Sequence, residues 1–64
     1  MNTPIIEREY IRRYRFLLET MKTRFDTLEY FVKDANVVDE NGYSTVVFQT
    51  SDKQKALDYI ANAE

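Results

Sequence analysis

The sequence predicts an α+β domain of order α-β-β-α, assembled as a homo-oligomer, and three observations lead there. Residues 4–33 contain no glycine and no proline after Pro4, and their apolar side chains recur at helical spacing. Asn41-Gly42 separates two β-prone runs. Ser51 stands three residues before Gln54, the spacing of a capping box.

The first element is expected to be one long helix over about residues 4–33. Thr3 suits the N-cap and Pro4 the first helical position, where a missing N–H costs nothing. Ile11, Tyr14, Leu18, Met21, Phe25, Leu28 and Val32 follow at alternating steps of three and four, the coiled-coil pattern. Tyr10, Leu17 and Phe31 widen that stripe, while Phe16 and Tyr30 lie nearly opposite it. Thirty helical residues make a rod of about 45 Å. A globule of this chain length is only about 28 Å across, from a radius of gyration near 11 Å. The apolar seam would therefore overhang its own domain. On this reading Ile11, Leu18, Met21, Phe25 and Leu28 form an oligomer interface, with Phe25 fully buried.

Next comes a predicted β-hairpin over about 36–50, turning at Asn41-Gly42. A two-residue turn sets Val37 against Val46 and Val38 against Thr45; a turn over Asp39–Gly42 shifts that register. Either way both faces carry apolar groups. Two isolated strands are marginal in water, so Val38, Tyr43 and Val47 join the expected interface. A short helix over about 52–62 closes the domain, with Ala56, Leu57 and Ile60 on its inner face.

Composition narrows the function. Sixty-four residues form one small domain, of a size usually reinforced by disulfides, a metal or oligomerisation. The chain has neither Cys nor His, so oligomerisation is the expected device, and no cofactor or metal is expected. The same absence removes the usual general base and thiol nucleophile. A single glycine leaves no phosphate-cradling loop. The acidic group Asp34, Asn36, Asp39 and Glu40 lacks calcium-loop spacing. No signal peptide or bilayer-length apolar run is evident, which makes the cytoplasm the expected compartment. An enzyme is not expected.

Charge is unevenly placed. Residues 1–33 carry seven basic and five acidic groups, residues 34–64 two basic and six acidic, so +2 faces −4 within a net charge of −2. Arg8, Tyr10, Arg12, Arg13, Tyr14, Arg15, Phe16 and Lys22 form a basic, aromatic segment, the candidate binding site. Guanidinium groups grip phosphate and carboxylate and stack on rings. They equally pair with acids of their own chain, and that bland use carries more weight here.

Two functions are expected in that order. The first is a small oligomeric regulator or inhibitor, in the style of phage-encoded proteins, acting on another protein. The second is a binder of nucleotides or single-stranded nucleic acid through the arginines and tyrosines. A purely structural accessory is a third reading. The target and the oligomer number are not legible.

Overall fold

A computed structural model describes residues 5–64 of the chain. Four strands, β1 (Ile5–Ile11), β2 (Phe16–Lys22), β3 (Leu28–Val38) and β4 (Ser44–Thr50), precede one helix, α1 (Lys53–Asn62). The strands form an antiparallel sheet in the order β1-β2-β3-β4. Strands β1 and β3 run the same way, so the β1–β2 and β3–β4 turns share one end of the sheet.

The long first helix is corrected outright: three strands and two turns occupy its place. The segments expected to form it read equally well at period two. Phe16, Leu18 and Thr20 alternate with Leu17, Glu19 and Met21, and both sets are wholly or partly buried. Tyr30-Phe31-Val32 favours a pleated surface through its aromatic and β-branched side chains. The cap placed at Thr3 and Pro4 lies outside the described residues.

The two turns need neither glycine nor proline, which is why the chain looked continuous. Arg12, Arg13 and Tyr14 all take positive φ (58°, 57° and 69°), closed by Arg15 N–H donating to the Arg12 carbonyl at 3.2 Å. At the other end Asp26 takes φ 65°. There the Thr23 hydroxyl accepts from the amides of Phe25 and Thr27, and Thr23 N–H donates to the Thr27 carbonyl at 2.8 Å.

The isolated hairpin over 36–50 is corrected too. Strand β3 starts at Leu28 and pairs with both β2 and β4, so the pair is half of a larger sheet. Val38 faces Ser44 rather than Thr45, and Gly42 N–H donates to the Asp39 carbonyl at 3.0 Å. The two-residue register is therefore corrected, and the turn over Asp39–Gly42, with its shifted register, is the one present. The ladder is irregular between Lys33 and Val38. Asp39 shapes the turn: its carboxylate accepts from the amides of Asn41 and Tyr43, while Gly42 supplies φ 85°. The C-terminal helix occupies its expected place, but Asp52 rather than Ser51 caps it, accepting from the Gln54 amide at 2.9 Å.

One face of the sheet is covered by α1. Phe16, Leu18 and Val32 meet Ala56 and Ile60 there, with Ile11, Tyr30, Val47, Phe48 and Tyr59 around them. Phe48 and Tyr59 stack with centroids 4.6 Å apart. Leu18 and Val47 therefore belong to the domain's own interior rather than to an interface exposed by the monomer. Phe25, expected in the core, sits on the β2–β3 turn and is 74% exposed. With the rod gone, the geometric argument for self-association goes with it. The radius of gyration, 11.9 Å, is that of a compact domain. No helix among the described residues is long and apolar enough to cross a membrane.

Candidate interaction surface

The opposite face of the sheet has no helix on it. Register decides which side chains stand there. Arg8 pairs with Glu19 across β1–β2, and Glu19 pairs with Phe31 across β2–β3. Tyr10, Leu17, Lys33 and Val46 form the next row, and Ile5, Met21 and Glu29 the row on the other side. Tyr10 and Val46 are exposed, while Leu17, Met21 and Phe31 are half-buried.

At the centre of this face lies an ion triad. Glu19, only 3% exposed, accepts from Arg8 Nε at 3.0 Å and meets Lys33 Nζ at 3.1 Å. Burial opposes ionisation of Glu19, but hydrogen bonds from Arg8 and Lys33, with their charges, outweigh it and hold the carboxyl below its usual range. The stems of Arg8 and Lys33 add hydrocarbon to the face while their heads more than offset the charge of Glu19. Beside the triad, Glu29 Oε2 is buried without a hydrogen-bond partner.

Three of the four arginines predicted to bind a ligand have internal partners. Arg8 serves the triad. Arg15 forks onto Asp34 at 3.3 and 3.2 Å, and Asp34 also accepts from the Asn36 amide at 2.9 Å. Those bonds, the arginine's first, hold the Asp34 carboxyl below its usual range. Arg12 Nη1 donates to the carbonyls of Ile60 and Ala63 at 2.9 and 2.6 Å, tying the β1–β2 turn to the C-terminus of α1. A cation there also complements the helix dipole. The guanidiniums of Arg12 and Arg15 lie 5.6 and 4.7 Å from the ring centroid of Phe16, which is itself fully buried. Phe16 is a core residue, not a contact for a ligand. Lys22 pairs with Asp26 on the surface at 2.6 Å.

What remains of the predicted site is Tyr10, Arg13 and Tyr14. The two tyrosine rings touch, with centroids 5.2 Å apart, and Tyr14 is 75% exposed. Arg13 makes no ion pair among the described residues. At the same end of the sheet the β3–β4 turn exposes Val37, Val38 and Tyr43 beside Asp39 and Glu40. Of the predicted interface, Val38 and Tyr43 stay exposed here, Met21 lies on the open face, and Phe25 and Leu28 lie exposed at the far end. Ile11 packs against the core.

Sequence reasoning missed Glu19, Lys33, Phe31 and Val46 as members of one surface. Their common face is a product of strand register, which pairs residues more than ten positions apart. Among the described residues, no three acidic side chains cluster closely enough to hold a metal ion. Comparison with protein-family models, with curated proteins and with solved structures finds no match for this chain.

Proposed function

We propose that this chain is a small non-enzymatic binding protein, a regulator or inhibitor that works by docking another protein on the open face of its sheet. One observation carries the reading. A sheet whose one face is filled by α1 presents on the other Tyr10, Leu17, Met21, Phe31 and Val46 around a saturated ion triad.

Such a face has the anatomy of a protein contact. Aromatic residues, methionine and arginine are enriched in interfaces, and a paired charge at the centre carries a smaller desolvation penalty than a free one. The Arg8 side chain stays 59% exposed, so the partner should bring carboxylates to that rim and apolar groups to the middle. Catalysis finds little support in the same groups. The buried carboxylates Glu19 and Asp34 are each bound to cations, which lowers their basicity.

Affinity capture from an extract of the source cell, read by mass spectrometry, tests this. A Tyr10→Ser/Val46→Ser chain should lose the partner that the wild type recovers, whereas Lys53→Ala, on the exposed side of α1, should keep it. Equal recovery by the double variant would remove the open face from the function.

A further inference from the structure

We infer that two copies of this chain associate end to end through their turn-bearing ends, the β1–β2 turn of each meeting the β3–β4 turn of the other. The inference deepens the docking reading: such a dimer would set two open faces side by side.

The end of the sheet where both turns lie gathers Tyr10, Tyr14, Val37, Val38 and Tyr43, each between 43% and 75% exposed. It is also electrically divided. The β1–β2 turn holds Arg13, without an ion pair among the described residues, and the β3–β4 turn holds Asp39 and Glu40 with no base. Asp39 is already committed to the amides of Asn41 and Tyr43, so Glu40, in no ion pair among the described residues, is the anion that turn has left.

Within one chain the two turns do not pair. They sit over different strand pairs, about 10 Å apart across the sheet at the usual interstrand spacing of ~4.8 Å. Strand β3 also runs four residues past its last pairing with β2, so the β3–β4 turn stands further out along the strands. A two-fold axis perpendicular to the sheet, placed at this end, turns a second copy in the plane and exchanges left with right. The basic turn of each copy then stands over the acidic turn of the other. Both contacts form at once, because the separation of the turns is the same in each copy. This is the self-complementary arrangement that closed dimers require. The same rotation keeps both helices on one side and both open faces on the other.

The contact is small. The domain measures 33 × 28 × 15 Å, and a contact confined to one end of it falls below the range of stable interfaces. The dimer is therefore weak, reversible and sensitive to salt, since exposed charges are screened over about 8 Å at physiological ionic strength.

Sedimentation of the full chain over a concentration series, at low and high salt, tests the inference with Arg13→Glu and Glu40→Arg. Wild type should pass from monomer to dimer with rising concentration, less readily at high salt. Each single variant, confirmed as folded by circular dichroism, should raise the dissociation constant at least tenfold, because like charges then face each other twice. An equimolar mixture of the two variants should regain association, since both contacts are again of opposite sign. A wild type that stays monomeric throughout, variants that associate as it does, or a mixture that stays monomeric would each overturn the dimer. A monomer that still captures its partner through Tyr10 and Val46 would sink the dimer and leave the docking face standing.

Discussion

Strand β2 is buried on both sides, but by different means on each. Toward α1, Phe16 and Leu18 are covered by hydrocarbon from the helix. Toward the open face, Glu19 is covered by the arms of Arg8 and Lys33, which leave Leu17 and Met21 only half-buried. The comparison separates what folds the domain from what is free to bind. Apolar burial on the helix side supplies the stability. The opposite side reaches low exposure without a second layer, by laying long charged side chains across the pleat.

The largest expected effect tests the helix side. Phe16→Ala should cost about 3–5 kcal/mol, enough to unfold most molecules of a domain this small. Leu17→Ala, one residue on and across the sheet, should cost clearly less, because that side chain is only partly buried. Urea titration of both variants at low protein concentration gives the comparison. Equal losses would mean that the open face is covered in solution.

Acid should act next, and mainly through the ion pairs. Glu19 and Asp34 both have folded pKa values below their usual 4.5 and 3.8. Each therefore contributes stability that is complete above its unfolded value and is lost as pH falls through its folded value. Melting temperature should be flat near neutrality and fall below about pH 4.5. Glu19→Leu should flatten that fall, but it strands Arg8 and Lys33 without their shared anion, so stability at neutral pH should drop as well. A variant as acid-sensitive as the wild type would exclude Glu19 from the transition.

Arg12 binds the two layers together at one end, and its removal should be milder. Arg12→Ala frees two carbonyls at the C-terminus of α1 and should cost about 1–2 kcal/mol. Amide exchange should then quicken at Ile60 and Ala63 before it changes in β2. Uniform loss of protection would show that the contact serves the whole domain instead.

These contrasts explain what the sequence disclosed. The C-terminal helix was legible because it carries its own punctuation, Ser51 at capping-box spacing from Gln54 followed by Ala56, Leu57 and Ile60 on one side, although the cap itself is Asp52. The Asn41-Gly42 turn was visible for the same local reason, though its register was not. The first three strands were not legible. Their apolar residues satisfy a helical and a two-residue period together, and the turn at Arg12–Arg15 uses no glycine. Arginines could be picked out as cations with acids four residues away, Glu19 for Arg15 and Glu9 for Arg13. The actual pairs, Arg8 with Glu19 and Arg15 with Asp34, arise only through pairing across strands.

The smallest expected effect compares the two turns at the dimer end. Gly42 takes φ 85° with open space where a Cβ would stand. Gly42→Ala should therefore cost about 1 kcal/mol from backbone strain alone. Arg13 endures φ 57° with a side chain attached. Arg13→Gly relieves that strain but adds freedom to the unfolded chain, so thermal stability should change by less than about 1 kcal/mol. Association should nevertheless weaken, because the guanidinium is gone. Measured together, stability and dimerisation should move independently at this position. A variant that loses both would place Arg13 in the fold rather than at its surface contact.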